Sequence, residues 1–298
     1  MKKIFKYLRN KFFGIERIEN MERKLDNIEK KLMPSQAEQV RLSLYYKQLI
    51  TEKKKLPSTQ ETGFRVFSQS DEDGILLFLF SIIGTTNKIC VDIAFASPYG
   101  SNTANLICNF GWWGFFVCGS QQEALDSKKF FSSHPDSIIY PPKIIHKWVT
   151  VENVNDLLLE NGISGEVDFL SLDMDGVDYW IWKNLTNISP RVVVVEALNV
   201  WGVDKAVTVP YSPDFDRFKI HPDYMGASIK AFVKLAEEKG YVLVASNKYG
   251  FNLFFVKKDI VAGVLPILNP EDCLKHPQAI DAMKRRLPEV KDLPWQEV

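Results

Sequence analysis

The stretch FLSLDMDGVDYW, residues 169 to 180, contains the pattern from which the fold can be predicted. It begins with a mainly apolar run typical of a buried strand, and Asp173, Asp175 and Asp178 then follow within six positions. In open α/β sheets, ligands bind beyond the carboxyl ends of the strands. The stretch therefore predicts either a site at the edge of a parallel sheet or, more simply, a strand, a turn and the start of a helix.

From residue 61 onward, segments typical of strands alternate with segments typical of helices. The predicted strands are KICVDIAF, WGFFVCG, HKWVTV, EVDFLSLD, RVVVVEAL, YVLVAS and FNLFFVKK. This alternation predicts an α/β class fold with a doubly wound, mostly parallel sheet. The short connection NKYG between the last two strands predicts that they pair antiparallel. We therefore expect seven strands, one of them reversed.

Composition and charge exclude several classes of function. The 298 residues contain 37 Lys plus Arg and 37 Asp plus Glu, so nothing in the overall charge favours nucleic acid as a partner. The four cysteines form no close pair, which indicates a reducing compartment with neither a disulfide framework nor a zinc site. No apolar run reaches the roughly 18 residues of a membrane span. We expect a cytoplasmic protein.

Residues 1–60 predict a helical, basic N-terminal extension. Within residues 15–33, apolar side chains spaced 3 and 4 apart form about two heptads of a coiled-coil seam, which predicts either a homo-oligomer contact or a solvated helix. Residues 1–13 combine an apolar stripe with five cations. Such a segment either binds the anionic inner face of a membrane or forms a frayed basic terminus.

Six stretches in order resemble the FkbM-like S-adenosylmethionine-dependent methyltransferases, of the type found among bacterial surface-polysaccharide genes. They are SQSDEDGI (68–75), SNTANL (101–106), LDMDGVDYWIW (172–182), PRVVVVEALN (190–199), YMGASIKAFVKLAEEKGY (224–241) and GFNLFFV (250–256). The resemblance implies a Rossmann-like class I methyltransferase domain over residues 61–258, followed by a C-terminal tail over 259–298. It also implies methyl transfer to a hydroxyl of a sugar or glycan.

The cofactor motif is degenerate. The family has roughly V-E-x-G-A-x-D-G after the first strand, where this chain has VDIAFASP, residues 91–98. The family's acid after the second strand is replaced by Cys118, Gly119 and Ser120. Losing a hydrogen bond to a charged partner costs about 1.5–3 kcal/mol, so we expect weak or absent binding of S-adenosylmethionine. The cofactor-binding positions that the resemblance implies are Asp92, Ser97, Gly100, Asn102 and Ser120.

Three functions remain open at this point. The first is an active methyltransferase with an altered cofactor pocket. The second is a catalytically inactive methyltransferase-fold partner or scaffold in glycan assembly. The third is a metal-dependent glycosyltransferase, because Asp173-Met174-Asp175 is also a D-x-D pattern.

The predicted fourth and fifth strands are neighbours in such a sheet, so polar residues at their carboxyl ends should converge. Asp173, Asp175, Glu196 and Asn199 offer hard oxygen ligands that suit a divalent metal such as magnesium. The alternative is that the aspartates bind backbone amides of their own turn. As catalytic residues we predict Asp173, Asp175 and, as a base in the loop 199–224, His221. His221 could instead cap or pack that loop.

Overall fold

The computed structural model describes residue 21, residues 36–261 and residues 263–298. Two compact units divide the chain, Met1–Leu42 and Ser43–Val298, and the second unit contains the sheet described below. The first described helix is α1 (Gln36–Thr51), which confirms a helical N-terminal region. Residues 1–13 and, apart from Met21, the predicted seam over 15–33 lie outside the described residues.

Strands and helices alternate over most of the described chain. The strands are β1 (Ile89–Ile93), β2 (Trp113–Cys118), β3 (Lys143–His146), β4 (Gly165–Leu172), β5 (Ile188–Glu196), β6 (Val207–Thr208), β7 (Tyr241–Ser246), β8 (Asn252–Lys257) and β9 (Gln296–Glu297). The further helices are α2 (Glu72–Ile83), α3 (Ala104–Phe110), α4 (Gln121–Ser133), α5 (Val154–Glu160), α6 (Asp178–Asn184), α7 (Ile229–Glu238), α8 (Lys258–Val261) and α9 (Pro277–Val290).

Within the described residues, seven strands form one mixed sheet in the order β3-β2-β1-β4-β5-β8-β7. The first five run parallel, and β8 pairs antiparallel with both β5 and β7. The order reverses between β1 and β4, which is where an open sheet leaves a crevice for ligands. The predicted doubly wound, Rossmann-like sheet, with seven strands and one of them reversed, is confirmed.

The core follows from the apolar pattern of the central strands. Val192, Val193, Val194 and Val195 of β5 are all fully buried, because both faces of this strand are covered. One apolar cluster packs α5, α6 and α7 against alternate residues of β1, β2, β4 and β5. These central strands therefore form a rigid base on which their carboxyl ends are fixed.

Some elements differ from the sequence prediction. The third strand was expected at residues 146–151 but ends at His146, and the Trp148 indole then donates to the Pro213 carbonyl oxygen at 2.8 Å instead of joining the sheet. The prediction also missed α9 and β9 in the C-terminal tail, whose β9 pairs with β6. Among the described helices, none is long and apolar enough to cross a bilayer.

Candidate functional site

The turn after β4 is held by the third aspartate of the opening stretch. The carboxylate of Asp178 accepts hydrogen bonds from the backbone N–H groups of Met174 at 2.6 Å and Gly176 at 3.0 Å. Asp175 lies between them with φ +55°, a left-handed conformation that aspartate adopts more readily than most residues. The turn therefore uses Asp178 internally and leaves Asp173 and Asp175 available at the sheet edge.

Asp173, Asp175 and Glu196 form a cluster that we call the carboxylate triad. One carboxylate oxygen of each lies within 4.8 Å of the others. They meet because β4 and β5 are parallel neighbours, with Leu172 opposite Val195, so that both chains leave the sheet side by side. The sequence predicted this convergence from the strand order alone.

Burial and electrostatic repulsion both raise pKa values within the triad. Burial raises the pKa of Asp173, and the nearby carboxylates of Asp178 and Asp175 raise it further. Burial also raises the pKa of Glu196 well above its usual range, with Asp173 as the next cause. The two carboxyls lie close together, so each raises the pKa of the other. One oxygen of Glu196, Oε2, is buried without a hydrogen-bond partner.

A cation from the long segment between β6 and α7 reaches the triad. Arg217 Nη1 lies 2.8 Å from Asp175 Oδ1, and the Arg217 side chain is 23% exposed. Phe215, on the same loop, packs directly over Gly176, where an added Cβ would lie only 2.6 Å from the ring. These two contacts hold the loop against the turn that carries Asp173 and Asp175. Nothing in the local sequence pattern marks Arg217, so its position was not predicted.

An acidic cleft of about 620 Å³ adjoins the triad above β1 and β4. Asp92, Asn102, Ser171, Asp173 and Asp175 line it, together with backbone of the loop after β1. Asn102 is 6% exposed; its amide donates to the Ser171 hydroxyl at 3.2 Å, while its Oδ1 is buried without a partner. An unpaired acceptor thus lies buried in a residue of the cleft wall.

Asp92 is the acid at the end of β1. Its carboxylate accepts hydrogen bonds from the hydroxyls of Thr103 at 2.8 Å and Ser101 at 3.3 Å. Burial raises the pKa of Asp92 to about 7, because the hydrogen bonds from these two hydroxyls only partly replace those from water. This side chain fixes the start of the segment that leads into α3.

The turn after β1 keeps a glycine-like backbone without the glycine. Ala94 has φ +69° and lines the cleft with its small side chain. Phe95 also belongs to the lining of the cleft, but it is buried and its ring stacks on Phe116, with ring centroids 4.4 Å apart. The side chain that replaces a small residue at this position is therefore held by a contact in the core.

A second, apolar slot of about 470 Å³ continues from Ala94 across the ends of β2, β3 and β4. Gly119, Trp148, Met174 and Val177 are among its lining residues. None of the described residues that line it is acidic, which matches the missing acid after the second strand. Ser120 instead caps α4, accepting from the Glu123 N–H at 3.4 Å.

Several predicted site residues have structural partners of their own. Ser97 Oγ accepts from the Tyr99 N–H, and Gly100 N–H donates to the Phe67 carbonyl oxygen. The Asn199 amide donates to the Tyr249 carbonyl oxygen at 3.1 Å. Their roles in binding stay predictions.

His221 lies on the segment between β6 and α7. It lines neither the acidic cleft nor the apolar slot, and it does not line a further cleft between Trp148 and residues 214–219. Its Nδ1 accepts from the Asp223 N–H at 3.1 Å. The histidine therefore supports its own turn, and it is not part of the cluster formed by Asp173, Asp175 and Glu196. Its role as a base stays a prediction.

A buried aspartate outside the predicted set shapes the far wall of the cleft. Asp73 Oδ2 accepts from the backbone N–H groups of Val66, Phe67 and Ser68 at 2.7, 2.7 and 2.8 Å. Ser68 in turn forms a bridge with Gly100 at the cleft. The acids of SQSDEDGI suggested only a helix start, so their spacing gave no signal of this role.

No family model matches the chain, and no curated protein matches it. Solved structures do match, at low similarity. An O-methyltransferase from Bacillus cereus in complex with SAH is 13% identical with a TM-score of 0.41, covering 78% of this chain and 96% of that one. A SAM-dependent methyltransferase from Methanosarcina mazei is 11% identical with a TM-score of 0.36, covering 57% and 92%. A glycopeptide N-methyltransferase complexed with sinefungin is 7% identical with a TM-score of 0.39, covering 62% and 85%.

Proposed function

We propose that this protein is a divalent-metal-dependent O-methyltransferase that acts on a hydroxyl of a sugar or glycan. The observation that carries the proposal is the carboxylate triad at the joined ends of β4 and β5, beside the acidic cleft at the point where the strand order reverses. In this fold the crevice at that point is where ligands bind. The resemblance to FkbM-like enzymes supplies the reaction class.

The triad fits a hard cation. Three carboxylates are the ligand type that Mg²⁺ and Mn²⁺ prefer, and Glu196 Oε2 is buried with no other partner. A cation held by Asp173, Asp175 and Glu196 would orient an acceptor hydroxyl and lower its pKa. Burial and mutual repulsion raise the pKa of both Asp173 and Glu196, so a cation bound by these carboxyls is expected to lower both pKa values and to release protons.

The acidic cleft fits the amino-acid end of S-adenosylmethionine, which supplies an activated methyl group when bound. The unpaired Asn102 Oδ1 can accept a hydrogen bond from an ammonium group, and Asp92 contributes negative charge beneath it. Ala94 retains the left-handed turn that lets a ligand approach the backbone. The apolar slot beside Gly119 offers room for a flat ring but no carboxylate for ribose hydroxyls.

The part of the site that would hold the methyl acceptor also suits a sugar. A cleft of about 710 Å³, which we call the acceptor cleft, opens between Trp148 and residues 214–219 and shares Asp175 with the acidic cleft. Trp148 and Phe218 are 56% and 72% exposed, and Asp214 and Asp216 lie beside them. Exposed aromatic faces next to carboxylates can stack on a sugar ring and bind its hydroxyls.

Calorimetry is the direct test of this function. S-adenosylmethionine and its demethylated product should bind to the protein, with weaker affinity than in a typical relative, and Mn²⁺ should bind separately. Glu196→Gln should weaken Mn²⁺ binding at least about tenfold while leaving cofactor binding within about twofold. Asp272→Asn, which removes a surface carboxylate paired with Lys275, is the matched control and should change neither.

The missing acid at the apolar slot favours a second candidate, a catalytically inactive methyltransferase-fold partner in glycan assembly. If neither cofactor form binds, the methyltransferase proposal fails. Titration with uridine and guanosine diphosphate sugars in the presence of Mn²⁺ then separates the remaining functions. Binding would support a D-x-D glycosyltransferase, and no binding would support the inactive partner.

A further inference from the structure

Arg217 contacts the triad from outside the two strands that carry it. Its Nη1 pairs with Asp175 Oδ1 at 2.8 Å, and its guanidinium also lies 4.8 Å from the centroid of the Phe218 ring. Its Nε is buried without a hydrogen-bond partner. Nη1 also donates to Met225 Sδ, a weak acceptor. The guanidinium is therefore held by one carboxylate and one thioether sulfur, and its Nε hydrogen stays unpaired.

Among the described residues, Arg217 is the cation that pairs with the triad. The nearby Lys219 pairs with Asp216 instead, at 3.6 Å. Arg217 therefore brings one positive charge to the cluster, where a divalent cation would bring two.

We propose that Arg217 is a built-in counter-cation that competes with the divalent metal for Asp175 and so sets the metal affinity of the triad. The inference rests on the metal site of the proposed function. The positive charge of Arg217 repels an incoming cation, and its hydrogen bond occupies an oxygen that the cation would use. Metal binding consequently separates Arg217 from Asp175.

Two unpaired buried oxygens, one on an acid of the triad and one outside it, indicate that this site takes a ligand. Glu196 Oε2 is buried without a partner inside the triad. Asn102 is 6% exposed, lines the same cleft as Asp173 and Asp175, and also has an unpaired buried oxygen. Unpaired buried oxygens are unfavourable, so a cluster that contains them is expected to bind a donor or a cation.

The experiment measures Mn²⁺ affinity on the full chain after removal of metal by a chelator. Calorimetry and the electron paramagnetic resonance signal of free Mn²⁺ give the affinity without any turnover. Arg217→Gln should bind Mn²⁺ about tenfold more tightly than the unmodified protein, equivalent to about 1.4 kcal/mol. Arg217→Lys retains the charge and should stay within about threefold. Lys219→Gln removes a cation two residues away and should stay within about twofold.

Arg217→Met retains the packing on Phe218 and serves as a second neutral variant should Arg217→Gln fail to fold. Equal or weaker Mn²⁺ affinity in both neutral variants would overturn the role of Arg217 while leaving the metal site intact. If Lys219→Gln bound Mn²⁺ more tightly by the same factor, the effect would come from general surface charge, and the role of Arg217 would also be overturned. If the unmodified protein and all variants bind no Mn²⁺, the metal site of the proposed function fails, and this inference fails with it.

Discussion

At the scale of the residue, Asp73 shows how one buried carboxylate can organise a wall of the cleft. It is 1% exposed and accepts three backbone N–H groups from residues 66–68. Asp73→Ala would leave these three donors without a partner, at about 1–3 kcal/mol for each unsatisfied group. We expect a loss of at least about 3 kcal/mol in the free energy of unfolding, measured by urea denaturation.

Asp73→Asn retains an acceptor oxygen but cannot titrate. Comparing its stability with that of the unmodified protein therefore isolates the pH dependence that arises from Asp73. Burial raises the pKa of Asp73 from 3.8 to about 6. The contribution of Asp73 to stability is therefore full below about pH 4 and is lost as the pH rises through about 6. The unmodified protein should lose up to about 3 kcal/mol relative to Asp73→Asn over this range, because one pKa unit corresponds to about 1.4 kcal/mol. A constant difference between the two from pH 4 to 7 would contradict the prediction.

Gly119 offers a direct test of the missing acid at the apolar slot. A Cβ added at this position would meet Trp148 at 3.8 Å, an ordinary contact, and Gly119 is not among the described residues with a positive φ. Gly119→Asp should therefore fold and should tighten binding of S-adenosylmethionine about tenfold, because a charged hydrogen bond to a ribose hydroxyl contributes about 1.5–3 kcal/mol. Calorimetry checks this, with Gly119→Asn as the uncharged control. Equal affinities for both variants would show that the ribose does not lie beside Gly119.

At the scale of the element, the strand pattern carries most of the fold. The β-branched run of β5 and the glycine stops of α2 and α3 follow from local chemistry, and the short turn between β7 and β8 predicts their antiparallel pairing. The third strand was misplaced because WVTV, residues 148–151, alternates like a strand. A distant contact from the Trp148 indole to Pro213 takes that segment out of the sheet, and no local pattern encodes it.

The difference between local patterns and distant contacts also explains which parts of the site were predicted and which were missed. The convergence of Asp173, Asp175 and Glu196 was predictable, because parallel neighbouring strands end side by side. Arg217 was not predictable, because it reaches the triad from a long loop without a regular period. Asp73 was missed for a different reason: an acid near a helix start has a sufficient local explanation, which conceals its longer contacts.

The C-terminal tail acts as a clamp on the loop after β5. Trp295 lies 4.7 Å from the Tyr224 ring and 5.5 Å from the Trp201 ring, and its indole donates to the Val290 carbonyl oxygen at 2.7 Å. The Tyr224 hydroxyl donates to the Pro294 carbonyl oxygen at 2.7 Å. The tail therefore stabilises the loop that carries Arg217.

Trp295→Ala should remove this clamp. Because the ring is half-buried, we expect a loss of about 2 kcal/mol, below the range for a fully buried tryptophan. In a domain of this size that lowers the melting temperature by about 5 °C in calorimetry. Trp295→Phe retains a ring and should lose only about half as much. Phe218→Ala, at a ring that is 72% exposed, is the control and should change the melting temperature by less than about 1 °C. Equal losses for Trp295→Ala and Phe218→Ala would exclude the clamp.

At the scale of the whole molecule, the ligand-facing features lie along one edge of the sheet. The acidic cleft, the apolar slot and the acceptor cleft share lining residues, so they form a continuous surface along the ends of the parallel strands. This arrangement can place a cofactor and an acceptor on either side of the triad. The proposed function uses the whole of that surface.

The N-terminal sequence predicts where such an enzyme would work. Residues 1–13 carry an apolar stripe and five cations, Lys2, Lys3, Lys6, Arg9 and Lys11, and lie outside the residues that the structure describes. Each cation near an anionic lipid surface contributes about 1 kcal/mol, and salt screens that attraction. We propose that this segment brings the protein to the inner face of a membrane.

The prediction is that the full chain co-sediments with vesicles containing about one-third anionic lipid, and that a chain of residues 14–298 does not. Neutral vesicles and roughly 0.5 M salt should each abolish binding, because the attraction is electrostatic and the Debye length then falls to a few ångströms. The substitutions Lys2→Gln, Lys3→Gln and Lys6→Gln together should weaken binding by about 3 kcal/mol, at about 1 kcal/mol for each cation removed. Lys53→Gln, Lys54→Gln and Lys55→Gln remove the same charge from an exposed stretch outside the segment and should have little effect. Equal vesicle binding by residues 14–298 and by the full chain would show that the basic terminus is only a solvated tail.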